Sequence, residues 1–361
     1  MFYAARRLLR LARDKTGCPR PGRAPGRPYS PWRRCRRTFV ANFTADDLQA
    51  RAADRGLLYP RHLLAELVAA LDSGRHVLLT GVPGTGKTSL AYVLADLARD
   101  SVRCTGYLAV TASAEWSERH TVGHYADTPE GVVFQPGVFL EAISSGRWLI
   151  IDELNRADFD RAFGPLFTVL ANQPVTLPYK QAGHTEPMSI VPAGAAVPPH
   201  TDAITVPRHW RIIATMNDFD RSSLHKLSYA LMRRFAFIEV DAAPDEVVYR
   251  LIAGAGDLVA ELFPVRKFVD LGPAIFVDAA RFAARRLTDR DATPSRVLFE
   301  AFFAFVLPQL DQLDDRQGRE LFEAMAPRFD PPEARQLGHA IRKTIGLPAS
   351  PAERALIAAR A

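Results

Sequence analysis

The sequence predicts an α/β fold, a parallel sheet flanked by helices, followed by a smaller all-helical domain. Three observations carry that reading. Between Phe43 and about Val240, short apolar runs alternate with stretches of helical period, the pattern of strands covered on both faces by crossover helices. One of those runs feeds a glycine-rich loop that opens directly into a helix. After Val240 the strand signals stop and only helical periodicity continues.

Taken in order, Thr44 and Asp47 have the spacing of a capping box that opens a helix. Residues 61–72 (RHLLAELVAALD) space their apolar side chains by three and four and end at Ser73-Gly74. The runs at 76–80, 107–111, 148–151, 210–215 and 235–240 read as buried strands. Residues 178–208, crowded with Pro, Gly and Ala, read as a long insertion or hairpin on the surface. Beyond Val240, Pro244 starts a helix that ends near Gly254, and apolar helical stretches recur at 279–287, 297–307, 319–325 and 333–345. Ser350 to Glu353 form a last capping box with Pro351 at the first helical position. The domain limits that follow are 1–40 for a basic tail, 41–241 for the α/β domain and 242–361 for the helical domain.

A chain of 361 residues with 48% hydrophobic content can build more than one core. The formal charge of +6 suggests nucleic acid at first sight, but its distribution does not. Residues 1–40 carry twelve Lys or Arg against one acid, Asp14. The remaining 321 residues hold 34 basic and 39 acidic side chains, so the body is mildly acidic. The tail composition predicts disorder, with a short basic amphipathic helix at its start. A solvated tail, an arm for anionic surfaces or nucleic acid, and a targeting segment or extended start all fit it. No run of 18 or more uncharged apolar residues appears, so no integral membrane segment is expected. Cys18, Cys35 and Cys104 lack metal-ligand spacing and fit a reduced, cytoplasmic protein. The sequon at Asn42 is discounted for want of a secretory leader.

Gly81-Val82-Pro83-Gly84-Thr85-Gly86-Lys87-Thr88 fits G-x-x-x-x-G-K-[ST], with a strand at 76–80 running in and a helix at 89–99 running out. Glycines let successive amides curl toward an anion, and the helix N-terminus adds positive potential. Lys87 is expected on the β- and γ-phosphates of a nucleoside triphosphate and the Thr88 hydroxyl on Mg²⁺, with Ser89 completing the binding stretch. Four apolar residues then lead into Asp152-Glu153, which puts both acids at the C-terminal edge of the sheet. Asp152 is expected to hold Mg²⁺ through water, and Glu153 to orient or deprotonate the attacking water.

Residues 147–170 (RWLIIDELNRADFDRAFGPLFTVL) resemble the second acidic motif of the MoxR-like and McrB-like branch of AAA+ proteins, which includes the dynein-related modules. Residues 211–240 (RIIATMNDFDRSSLHKLSYALMRRFAFIEV) resemble the same branch's polar-sensor strand and arginine-finger helix. The resemblance, over about 57–296, implies a P-loop NTPase sheet with a helical lid. It implies Asn217 as first sensor, and Arg234 as the arginine finger with Arg233 as neighbour or substitute. Arg296 is implied as second sensor, although Ser295 departs from the branch's Pro-Arg pattern. Arg296 also has a local argument. Behind the N-cap Thr293 and Pro294, a first-turn cation opposes the helix dipole and calls for an anion. Asn155 and Arg156 belong to the branch's signature, as interface or coupling residues.

The branch inserts a hairpin at 111–137, where Trp116, Tyr125 and Phe134 read either as substrate-engaging side chains or as an ordinary mixed loop. His120 and His124, four apart, lack a third zinc ligand. The resemblance implies Mg-dependent ATP hydrolysis by a ring oligomer, a hexamer, remodelling a protein partner. The alternative is an ATP- or GTP-hydrolysing subunit of a McrB-like DNA-processing complex, with nucleic acid reached only through the basic tail or a partner. A nucleotide-gated scaffold without turnover is the third reading, disfavoured by Lys87, Glu153 and Arg234.

Overall fold

The computed structural model describes residues 42–129, 131–164, 166–217, 232–252 and 255–346. All of them fall in one unit, residues 40–361. The expected tail, the capping box at 350–353 and most of the expected finger helix lie outside the described residues. The strands are β1 (His76–Thr80), β2 (Tyr107–Thr111), β3 (Gly123–Thr128), β4 (Gly131–Pro136), β5 (Trp148–Asp152), β6 (Val175–Thr176), β7 (Met188–Pro192), β8 (Asp202–Val206), β9 (Ile212–Thr215) and β10 (Phe235–Glu239). Five of them form the central sheet in the order β10-β1-β9-β5-β2, with every pair parallel. The expected parallel sheet is therefore present. Because all five run the same way, Thr80, Thr111, Asp152, Thr215 and Glu239 end on one edge.

The middle strands are the apolar ones. Every residue of β9 is buried, as are the first four of β1 and β5. The helix Lys87–Asp100 leaves β1 through the glycine loop and buries Leu90, Val93, Leu94 and Leu97. Arg61–Asp72 buries Leu63, Leu64, Leu67 and Leu71, the three-and-four spacing visible in its sequence. Thr44 and Asp47 make both bonds of the capping box at the start of Ala45–Ala53.

One hydrophobic cluster runs from Phe43 to Val240, and a second from Val248 to Ile341. The second is built by helices, chiefly Pro273–Arg286, Pro294–Ala301, Asp315–Met325 and Pro331–Thr344. Among the described residues no helix is long and apolar enough to cross a membrane.

Three segments differ from expectation. The strand read at 210–215 starts two residues later, at Ile212. Trp210 instead donates its indole N–H to the Arg147 carbonyl at 2.7 Å, and Arg211 turns its guanidinium onto backbone carbonyls. Residues 178–208 are not simply a surface insertion. They hold β7, buried throughout, which pairs parallel with β8 and antiparallel with β6. The helix read at 297–307 is α-helical only to Ala301. It widens to a π turn over Phe302–Val306, where the Leu307 amide reaches the Phe302 carbonyl, and tightens again over Leu307–Gln309. Pro308 has no N–H and its ring crowds the carbonyl four residues back, which breaks the α ladder there. The hairpin implied at 111–137 is formed by β3 and β4. Its Tyr125 ring meets Tyr179 edge-on and its Phe134 ring packs against Tyr179 at a tilt, whereas Trp116 is buried against Phe163.

Candidate functional site

The sheet polarity brings the glycine loop after β1, the acids ending β5 and the residues ending β9 to one edge, where parallel sheets bind ligands. Gly81 starts the loop at φ 140°, and a Cβ there would lie 2.3 Å from the Val240 carbonyl oxygen. Only glycine fits that close approach. Gly86, left-handed at φ 84°, is the N-cap of Lys87–Asp100. Tyr59 closes the loop from outside, donating its hydroxyl to the Gly86 carbonyl at 2.9 Å. Burial raises the Tyr59 pKa, so the phenol remains a donor. Lys87 is buried, with Nζ donating to the Gly81 and Val82 carbonyls, both at 2.8 Å. Thr85 donates to the Val82 carbonyl at 3.1 Å, Pro83 and Gly84 are half-buried between them, and Ser89 is exposed on the first helical turn.

The acids are tied to this loop through one oxygen. Thr88 donates its hydroxyl to Asp152 Oδ1 at 2.7 Å, and the Thr215 hydroxyl donates to the same atom. Thr215 also accepts the Glu153 amide N–H at 3.2 Å. Glu153 takes the left-handed conformation, φ 56° and ψ 47°, a region that non-glycine residues enter at a cost. Its carboxylate is held on both oxygens. Asn217 Nδ2 donates to Oε1 at 2.8 Å, and Arg156 Nε approaches Oε2 at 3.5 Å. Lys87, Thr88, Asp152, Glu153 and Asn217 therefore share one site. Sequence reasoning missed Thr215 and Tyr59. Thr215 is a β-branched residue in a strand, which reads locally as packing.

The donor set fits magnesium. The Thr88 hydroxyl and the Asp152 carboxylate converge beside the glycine loop, and hard cations take oxygen ligands of these kinds. Among the described residues no group of three His, Cys, Asp or Glu side chains is placed to hold a metal by itself.

The helical region touches the loop directly. The Ala274 amide donates to the Gly84 carbonyl at 3.2 Å, at the N-terminus of Pro273–Arg286. A cavity of about 750 Å³ lies alongside, lined by Val82, Pro83, Val240, Asp241, Leu271 and Ile275 among others.

Two expected groups lie apart from this constellation. Arg233 and Arg234 precede β10, and the Arg234 carbonyl accepts the His76 amide at 3.1 Å. They therefore stand at the N-terminal edge of the sheet, across its full depth from the glycine loop. Arg296 occupies the first turn behind Thr293, as its sequence suggests. The anion answering it is local, since Nε donates to Glu300 at 2.9 Å and a terminal nitrogen to Gln336 at 3.0 Å.

Residues 76–235 match the sequence model of the AAA domain of the dynein-related subfamily. Midasin of Dictyostelium discoideum is 27% identical over 197 residues, 52% of this chain and 3% of Midasin. The chain thus spans a small fraction of that relative's length. The match begins with β1, ends at the first residue of β10 and takes in both the glycine loop and the paired acids, so across these residues the chain carries an AAA domain of the dynein-related subfamily.

Proposed function

We propose that this chain binds Mg-ATP and hydrolyses it as a subunit of a ring oligomer, a hexamer, that remodels a protein partner in the MoxR-like manner. The observation that carries the reading is the shared Asp152 oxygen. It joins the phosphate-loop hydroxyl of Thr88 to the strand bearing the Glu153–Asn217 pair.

On this reading the loop amides from Gly81 to Thr88 cradle the phosphate chain, and Lys87 leaves its two carbonyl partners for the β- and γ-phosphate oxygens. Thr88 and Asp152 would hold Mg²⁺, which would supply neutralising positive charge to the phosphate chain. Asn217 keeps the Glu153 carboxylate oriented. Glu153 aligns the water and takes its proton as the water oxygen bonds to the γ-phosphorus and the bond to the β–γ bridging oxygen breaks. ADP, phosphate and a proton leave.

Arg234, or Arg233 beside it, acts on the nucleotide of a neighbouring copy, because its own loop is at the other edge of the sheet. The helical region, 242–361, serves as a lid, and Arg296 reaches the γ-phosphate only by leaving Glu300.

Steady-state phosphate release with a panel of ATP and GTP, alongside sedimentation of Glu153→Gln with ATP, tests the reading. The expected result is Mg-dependent release that Glu153→Gln abolishes while nucleotide and oligomer are retained. A wild-type chain that releases no phosphate, or stays monomeric with trapped nucleotide, would overturn it.

A further inference from the structure

A second cavity, of about 760 Å³, opens at the N-terminal edge of the sheet, opposite the glycine loop. Arg75, Arg208, Arg211 and Arg234 line it together with His76, and no carboxylate is among its described lining residues. Other arginines among the described residues face acids, as in Arg51–Asp100 at 2.7 Å and Arg147–Glu141 at 2.6 Å.

The four cavity arginines are held in unfavourable company. Arg211 is buried and gives its N–H groups to the carbonyls of Trp210 at 2.7 Å and of Leu71 and Arg208, both at 3.1 Å. Burial, and then the neighbouring Arg103 charge, push its pKa down to about 10. The parallel register sets His76 beside Phe235, so Arg75 and Arg234 stand side by side one residue earlier. Like charges across adjacent strands repel. The Arg75 guanidinium donates to the Arg233 carbonyl, which fixes it there without neutralising it. Arg75 and Arg208 are both exposed at the cavity mouth. Four cations thus gather around one hollow whose described lining carries no carboxylate, and the acid that acts on Arg211, Asp72, is paired with Arg103.

We propose that this cavity is a binding site for a phosphoryl anion, with Arg75 and Arg208 as its outer cations, and that its occupant is the phosphate chain of a nucleotide held by a second copy. The site itself rests on the arginines. Its occupant rests on the proposed function, and it extends the trans-acting role beyond Arg234 to two further cations. Guanidinium groups offer paired N–H donors that match phosphate oxygens, and several converging on one hollow favour a multiply charged ligand.

The test starts from Lys87→Ala, which disables the phosphate loop and leaves this cavity untouched. Inorganic tripolyphosphate is titrated into it calorimetrically at low and moderate salt, and into the same chain carrying Arg75→Glu and Arg208→Glu. Saturable, salt-sensitive binding that weakens at least tenfold in the triple variant supports the site. Equal binding by the two proteins, or none by either, overturns it. Arg75→Gln with Arg208→Gln, matched to the parent by circular dichroism and melting, separates lost charge from lost fold.

A second arm uses Glu153→Gln with ATP and sedimentation. Loss of assembly on adding the two glutamates, with nucleotide still bound to each chain, identifies the neighbouring copy as the source. Intact assembly with lost tripolyphosphate binding overturns that occupant and leaves free polyphosphate in its place. If the wild-type chain holds no nucleotide at its loop, the proposed function fails, while the tripolyphosphate result on Lys87→Ala still stands or falls separately.

Discussion

The backbone N–H of Glu153 donates to the Thr215 hydroxyl at 3.2 Å, and that hydroxyl in turn donates to Asp152. One buried side chain thereby fixes the position of the first acid and the left-handed backbone of the second. Thr215→Val keeps the shape and removes both bonds. Phosphate release should fall roughly 100-fold, the scale on which small misplacements of catalytic groups act, with nucleotide affinity changed only a few-fold. Thr215→Ser should recover most of the rate. Rapid-quench turnover set beside equilibrium nucleotide binding checks this; a parallel loss of both would argue for unfolding instead.

Gly272 abuts the phosphate loop so closely that a Cβ there would lie 2.2 Å from the Gly84 carbonyl carbon. Its φ of −72° suits any residue, so Gly272→Ala tests contact alone. Overpacking of this kind costs about 1–3 kcal/mol. Denaturant unfolding should show that loss, and nucleotide affinity should fall with it as the loop is displaced.

Tyr59→Phe removes the hydroxyl that holds the Gly86 carbonyl and keeps the ring. The expected cost is about 1 kcal/mol in unfolding free energy. Nucleotide should bind a few-fold more weakly, because the carbonyl it releases belongs to the turn proposed to cradle phosphate. Chemical denaturation and fluorescent-nucleotide titration measure the two.

His76 is buried and accepts the Ile212 amide on Nδ1 at 3.0 Å. Burial, and secondarily the Arg211 charge, push its pKa down to about 3. The folded chain therefore binds its proton more weakly than the unfolded chain, whose histidine titrates near 6.5. Stability should rise with pH between about 3 and 6.5, by up to about 1.4 kcal/mol per unit from this group, and level off above. Unfolding free energies from pH 4 to 7.5 should show the slope, and His76→Gln should flatten it.

Much of this molecule was legible from residue order because the central strands are continuous apolar runs bounded by turn residues. Trp148 through Ile151 and His76 through Thr80 needed no partner to be read. The glycine loop and the paired acids were legible for a chemical reason, since phosphate and its cation dictate residue type at fixed spacing. What escaped depends on distant pairing. β7 lies in a stretch whose prolines and glycines speak of surface, and only its pairing with β6 and β8 makes it a buried strand. Thr215 escaped likewise, because its two bonds cross from β9 to residues about sixty positions earlier. Arg296 stands in the first helical turn that its sequence predicts, and what residue order did not show is its partner one turn on, Glu300.

The parallel sheet also has a geometric corollary. It places the glycine loop at one rim and a cluster of guanidinium groups at the other, so the proposed phosphate cradle and these cations cannot meet within a single chain. Copies joined through them would stack head to tail, a contact between unlike faces. Such a contact closes on itself only when the turn between successive units divides a full circle; any other angle winds an open spiral. The pitch of that step, set by how the two rims meet, would then decide between a washer and a thread.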